Sequence, residues 1–384
     1  MTGAGARDGF RLASATAHGM TTPSGEYTIP REAGRTLRTV VLLASLVVII
    51  AGLRAARPVL TPLALAAFVA AVSFPVVSYL RAQGVRLSLA IIATVLLDAL
   101  IVSLFIWIVV ETVADFRVEL PAYITRGQAL EAAARARLET WGLVLPPEFY
   151  SSLIQPQRMV DYVTIAARNI TSWLSLVFLL LLYLVFILLE AVQLPSKLST
   201  VLGPRARAIT VGSAVLAQVQ RYLALKTLIS IATGVAIGVG AALLGVDFAP
   251  FWGLLAFVLN YIPNIGSIIA AIPAMAVALL QLGVQHSLAL GAVYLIVNML
   301  LGNIADPILI GRQLRLSPIV ILVSLVFWGW TWGVIGAFLA VPLTISLRVA
   351  LQTSERWATL AALMGPVDGR AEARLVRSQA TDPG

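Results

Sequence analysis

The sequence predicts an all-α integral membrane protein, a polytopic helical bundle of about six to eight membrane segments that includes broken, re-entrant hairpins. Three observations point there. Of 384 residues, 59% are hydrophobic and only 12% charged, where a soluble domain carries about 25% charge. The apolar residues come in runs close to the ~20 helical residues that a bilayer core requires. One run, residues 249–282, is interrupted at its centre by the polar stretch Asn260-Tyr261-Ile262-Pro263-Asn264-Ile265-Gly266-Ser267.

Composition also excludes. The formal net charge of +9 could suit nucleic acid, but the arginines stand in short clusters between apolar runs. That pattern fixes orientation in a membrane, so lipid is the expected surroundings and no nucleic-acid partner is expected. Cysteine is absent, which removes disulfides, thiol chemistry and thiolate metal sites. His18 and His286 lie too far apart to form a metal cluster. No Ser/His/Asp set or phosphate-cradling glycine loop appears. The chain is expected to be no enzyme and to carry no cofactor or metal.

Residues 1–35 are rich in Gly, Ala, Thr and Arg without periodicity and read as a disordered N-terminal tail. Residues 36–110 hold the first transmembrane helices, at 37–53, 59–80 and 87–110. The second contains Pro62 and Pro75, and the third a single acid, Asp98. Residues 111–170 mix both charge signs with strong helix formers, QALEAAARARLETW, and read as a water-facing helical insert. Residues 171–350 are expected to hold the membrane core: a span at 172–189, a basic amphipathic stretch at 195–226, a fifth span at 227–245, then two broken hairpins. Gly234, Gly238 and Gly240 in the fifth span permit close helix approach. Residues 351–384 are a basic cytoplasmic tail.

The arms of 249–282 run roughly 14–16 residues each, short of a full span. Pro263 removes a backbone donor and Gly266 relaxes the chain. A helix is expected to break near 262 and restart near 266, with a kinked continuous helix as the alternative. Such a break survives in lipid only inside protein or beside water. Its freed amides, with Asn260, Asn264 and Ser267, are expected to form a polar site at membrane depth. The segment 317–347 carries Gly329, Gly333 and Gly336 among three tryptophans, then Pro342, and reads as a second hairpin. Between the two lies Gly302-Asn303-Ile304-Ala305-Asp306-Pro307.

These features give the candidate residues. Asn260, Pro263, Asn264, Gly266, Ser267 and Asn303 are candidates for solute binding. Asp98 and Asp306 are candidates for coupling, because an acid at membrane depth usually marks a functional site. Pro263, Gly266, Pro307, Gly329, Gly333, Gly336 and Pro342 are candidate hinges. Gln218, Gln220 and Lys226 are candidates for a cytoplasmic vestibule. Each has a plainer reading. The asparagines can cap helix ends, Asp98 can sit protonated against a neighbouring helix, and Asp306 can pair with Arg312 or Arg315.

Orientation is consistent with cytoplasmic N- and C-termini. Arg81, Arg86, the 195–226 cluster, Arg312 and Arg315 then fall inside if both broken elements enter and leave on one side. Arg54 and Arg57 are exceptions that fall outside. An eight-span topology gives the same ends, and charge leaves the two open. Pro62 to Pro75 and Pro250 to Pro263 have the same spacing, 13 residues, which suggests an inverted repeat with discontinuous helices.

These residues carry a resemblance. NYIPNIGSIIAAIPAMAVALL is similar to the signature of the autoinducer-2 exporter family of bacterial permeases. Residues 298–350 resemble its C-terminal pattern through Asn303, Pro307, Gly311, Leu316, Pro318, Gly333, Gly336, Ala340, Val341 and Pro342. TPLALAAFVAAVSFPVVSYLRAQGVRLSLAII also fits. The family commonly shows a polar or acidic residue before the Asn-x-x-x-Pro stretch, where this chain has Leu301-Gly302. The resemblance implies a bacterial inner-membrane exporter of a small solute, with the quorum-sensing signal autoinducer-2 as the substrate that named the family. It implies a homo-oligomer, such as a pentameric ring, with moving hairpins beside a fixed scaffold. Some relatives look like Na⁺(Li⁺)/H⁺ antiporters. Three classes therefore compete: a solute exporter driven by a proton or cation gradient, a cation/proton antiporter, and a non-transporting scaffold. Convergent broken helices favour transport. Isolated acids, rather than paired ones, rank the exporter first.

Overall fold

The computed structural model describes residues 31–142, 170–202, 207–263, 265–310, 316–352 and 357–365. The chain divides into two units, Met1–Ala51 and Gly52–Gly384. Among the described residues every regular element is helical, and seven helices are long and apolar enough to cross a membrane. The first unit contributes most of α1 (Arg31–Ala55). This helix begins inside the tail that was expected to lack order, because Arg-Glu-Ala is a helix-favouring start. The rest of that tail lies outside the described residues, as does 366–384.

In the second unit, α2 (Arg57–Ala82) and α3 (Leu87–Thr140) form an antiparallel pair through the turn at Gly84. We call the Gly84 end proximal and the Arg57 end distal. Pro62 and Pro75 lie inside α2 without ending it, and Ser78 Oγ donates back to the Phe74 and Pro75 carbonyl oxygens. α3 has 54 residues, about 81 Å at 1.5 Å per residue. The expected span at 87–110 and the start of the insert are therefore one continuous rod. Nothing between them breaks a helix except Pro121, which is accommodated within it. Residues 143–169 of the insert lie outside the described residues.

α4 (Ile170–Leu202) packs against α2 and α3 through Ala70, Val77, Ala90, Ile91, Leu184 and Leu188. α4 takes in residues 195–202 of the basic stretch, and α5 (Arg207–Leu243) joins residues 207–226 of it to the fifth span in one helix. The stretch Val219–Leu243 is long and apolar enough to cross a membrane, and Lys226 lies inside it.

α6 (Ala249–Leu259) and α7 (Ile265–Leu282) are the arms of the first hairpin. Their outer ends are tied together. The Asp247 amide donates to Gln281 Oε1 at 2.8 Å, and Gln281 Nε2 donates to the Gly245 carbonyl at 3.0 Å. Tyr123, far along α3, donates to Asp247 Oδ2 at 2.6 Å, which places the open end of this hairpin distally. α8 (Val284–Val297) returns along α7 and continues as a π-helical segment, Asn298–Ala305, into the short α9 (Asp306–Ile310).

α10 (Pro318–Gln352) is the second hairpin. Its single non-helical residue is Gly333, at φ 71° and ψ −147°. Both its ends meet the short α11 (Ala358–Leu363) and its flank: the Ser317 amide bonds the Met364 carbonyl at 3.0 Å, and Arg348 Nε bonds the Ala361 carbonyl at 3.2 Å. Its tip lies distally, where Trp332 Nε1 donates to the Leu53 carbonyl at 3.1 Å. The two hairpins thus enter from opposite ends of the bundle, which separates the two topologies that charge left open.

Cysteines introduced singly at Leu243 and Val284, which flank the first hairpin and are exposed, should react with an impermeant maleimide from one and the same membrane face. Reaction from opposite faces would contradict the hairpin.

Candidate functional site

The first hairpin turns between Leu259 and Ile265. The amides of Asn260, Tyr261, Ile262, Ile265 and Gly266 all donate to carbonyls within the turn, at 2.6–3.4 Å. The expectation that the break offers these amides to a solute is thereby corrected. An unmet N–H at membrane depth costs several kcal/mol, so the turn closes on itself. A Cβ on Gly266 would overlap the Leu259 carbonyl oxygen, which is why the chain reverses there. What remains available is side chains.

Those side chains dock on α5. Asn260 Nδ2 donates to Ser230 Oγ at 2.9 Å. Thr227 Oγ1 donates to the Leu223 carbonyl, so the Tyr261 hydroxyl is the donor in the 2.7 Å bond between Tyr261 and Thr227. The Tyr261 ring lies 4.7 Å from Phe338 on the second hairpin and 5.3 Å from Phe68 on α2. Both hairpins, α2 and α5 therefore converge on one residue.

α5 is built for this. Tyr222, Lys226, Ser230 and Thr233 recur at helical spacing, and all are buried. A buried polar stripe on a membrane helix marks a route or a site. Lys226 Nζ lies 3.6 Å from Asp306 Oδ2. Asp306 is the first residue after the π-helical segment, and π-helical turns recur at functional sites.

The tip of the second hairpin has its own closure. Gly333 faces the Arg57 guanidinium, whose Nη2 would lie 2.6 Å from an added Cβ. Arg54 stacks 4.7 Å above the Trp330 ring. The two arginines that broke the charge pattern thus lie at the tip of the second hairpin, near the C-terminal end of its first half-helix, where a cation is favoured. Gly336 repeats the device of Gly266, since its Cβ would overlap the Trp328 carbonyl oxygen. Trp328 Nε1 reaches Thr344 across the hairpin at 3.2 Å.

The remaining candidates scatter. Asn264 lies outside the described residues, as do Arg312 and Arg315. Ser267 is half-buried in the first turn of α7, and Asn303 is exposed on the π-helical segment. Pro263 sits in the turn itself, and Pro307 is the second residue of α9. Gly329 and Pro342 lie within continuous helix on either side of Gly333. Asp98 stands apart, accepting a 2.7 Å bond from Ser73 Oγ on α2, while its Oδ2 is buried without a partner. Sequence reasoning passed over Thr227, Ser230, Tyr261, Ser73 and Phe338. The period of the α5 stripe was the signal that could have found Ser230.

The comparisons agree with this architecture. The profile described as AI-2E family transporter matches residues 43–356. The chain belongs to the AI-2E transporter family. Within it, the AI-2 transport protein TqsA of Escherichia coli (strain K12) is 36% identical over 338 residues, covering 86% of this chain and 96% of TqsA. YhhT of the same organism is 35% identical over 333 residues, covering 87% of this chain and 95% of YhhT. Bacillus subtilis (strain 168) YrrI is 24% identical over 307 residues, covering 77% of this chain and 86% of YrrI. This AI-2E transporter therefore shares nearly its whole membrane domain with these relatives.

The left-handed backbone at Gly333 makes a specific demand. Gly333→Ala should destabilise the protein by about 1–2 kcal/mol from backbone strain alone. Gly329→Ala, whose Cβ would meet Ala337 at an ordinary 3.6 Å, should be neutral or slightly stabilising. Thermal unfolding in detergent reads both, and equal behaviour of the two variants would remove the bend from Gly333.

Proposed function

We propose that this transporter exports a small polar solute, autoinducer-2 or a molecule of similar hydroxyl-rich chemistry, by alternating access at the first hairpin tip. The observation that carries the reading is the meeting of two oppositely entering hairpins at Tyr261 and Phe338, beside the polar face of α5. Discontinuous helices from opposite sides that meet near the middle of a membrane are the common architecture of alternating-access sites. The kinship with TqsA, an AI-2 transport protein by name, supports the solute class.

The tip is closed on α5 through Asn260–Ser230 and Tyr261–Thr227. A solute carrying several hydroxyls exchanges these bonds for its own, since asparagine and hydroxyl groups both donate and accept. Asn264, Ser267 and Asn303 extend the binding surface, and Pro263, Gly266, Pro307 and Gly333 are the points that move. Asp98 carries the coupling proton or cation, because its buried, unpartnered Oδ2 is stabilised by taking one up. The protein works in the bacterial inner membrane with cytoplasmic termini. It assembles as a homo-oligomeric ring such as a pentamer, for which the exposed apolar stripe Leu96, Leu100, Leu104 and Trp107 on α3 supplies a lipid- or protomer-facing surface.

Flux of autoinducer-2 in proteoliposomes, with and without a pH or Na⁺ gradient, tests the reading. Asn260→Ala removes one neutral hydrogen-bonding group and should weaken apparent affinity by ~0.5–1.5 kcal/mol, up to tenfold. Asp98→Asn should retain gradient-free exchange and lose the stimulation by the gradient. Wild-type flux that ignores every gradient would reject coupling, and absent flux would reject the solute.

A further inference from the structure

We propose that Lys226 and Asp306 form a second solute subsite, in which Lys226 donates to one hydroxyl of a neutral polyol and Asp306 accepts from another. The inference rests on the transport reading above and adds a place and a ligand chemistry to it.

The geometry of the pair carries the argument. A charge-assisted N–H···O bond closes to about 2.7–2.9 Å, yet Lys226 Nζ stands 3.6 Å from Asp306 Oδ2. Asp306 Oδ1 is buried and has no partner. Lys226 is only 4% exposed, so its three donors lie away from water. Buried ions that are loosely paired and short of hydrogen bonds are unfavourable. A pair of hydroxyls supplies what is missing: an acceptor for the ammonium and a donor for the carboxylate.

Charge selects the ligand class. The pair is neutral, so a neutral ligand leaves it balanced. An anion meets the Asp306 carboxylate and a free cation meets Lys226. Among the described residues no group of three or more His, Cys, Asp or Glu could hold a metal ion, and one carboxylate beside a lysine makes a poor cation cage. Position selects the size. Ser230, the docking partner of Asn260, lies one helical turn from Lys226, about 5–6 Å along α5. A molecule of a few carbons reaches both. Access comes from the α9 side, where the Asp306 side chain is 27% exposed against 6% for Lys226. The π-helical segment directly before Asp306 is the element that can shift it, by tightening into an α-helix.

The test is a thermal-shift titration of the purified full chain with autoinducer-2, D-ribose and 2-deoxy-D-ribose. The proposal expects autoinducer-2 and D-ribose to stabilise the wild type, with 2-deoxy-D-ribose weaker by several-fold. The double variant Lys226→Met with Asp306→Asn leaves no unpaired charge. It should bind the two hydroxyl-rich probes roughly tenfold to a hundredfold more weakly and lose the preference between the sugars. If that variant is not monodisperse, Asp306→Asn and Lys226→Gln singly should lower the same preference. Failure of both D-ribose and autoinducer-2 to shift the wild type overturns the subsite, as does an unchanged preference in the variants. Intact autoinducer-2 flux with unchanged preference would leave transport standing and remove only the subsite. Absent autoinducer-2 flux in the wild type, with a sugar preference that the wild type shows and the variants lose, would remove transport of that solute and leave the subsite standing.

Discussion

A backbone that breaks at membrane depth must find all its hydrogen-bond partners within the protein, and two such breaks govern this structure. Between Leu259 and Ile265 the amides of Asn260, Tyr261, Ile262, Ile265 and Gly266 are all met within the hairpin. At Gly333 the reversal takes a single residue. In both places a glycine lets the returning arm fold against the last carbonyl of the arriving one, Gly266 on Leu259 and Gly336 on Trp328. With these amides met, the polar groups left at the tips are side chains, and the helix the tips dock against meets them.

That helix is α5. Its middle, through Tyr222, Leu223 and Ile229, packs on the second hairpin, and its distal part, through Ile237 and Ala241, packs on the first. Lipid gives helices no hydrophobic reason to associate, so close van der Waals fit and interhelical hydrogen bonds must suffice. Gly234 and Gly253 supply the fit, since an added Cβ on either would lie 2.7 Å from the other's carbonyl oxygen. Ser230 and Thr227 supply the hydrogen bonds. A hairpin held by small-residue contact and a few polar bonds, with no apolar penalty for parting, is a unit that can slide or tilt.

Much of the fold was legible because apolar run length and its interruptions are local properties. The spans, the 249–282 hairpin and the bend in 317–347 follow from Pro263, Gly266 and Gly333 and from arms too short to cross. The span at 87–110 and the start of the insert are one unbroken helix, since charges at Glu111 and Asp115 end an apolar run without ending a helix. The amphipathic stretch likewise runs into the fifth span as one helix across Lys226. Within the site, Asn260 was found from the break itself. Thr227, Ser230 and Tyr261 were not, because a threonine or serine in an apolar helix looks like a tolerated neutral residue until something docks on it.

By itself the sequence determined that this chain lives in a membrane, where its helices break, and which family it resembles, since hydropathy, proline and glycine act on the chain within a few residues. Only the tertiary structure decided that the two hairpins enter from opposite ends and meet at Tyr261, that Lys226 faces Asp306, and that Arg54 and Arg57 close a hairpin tip. Each of those contacts joins residues tens to hundreds of positions apart. Which of several available faces a helix turns toward its neighbours is set by the packing of all of them together, a constraint no local stretch of sequence contains.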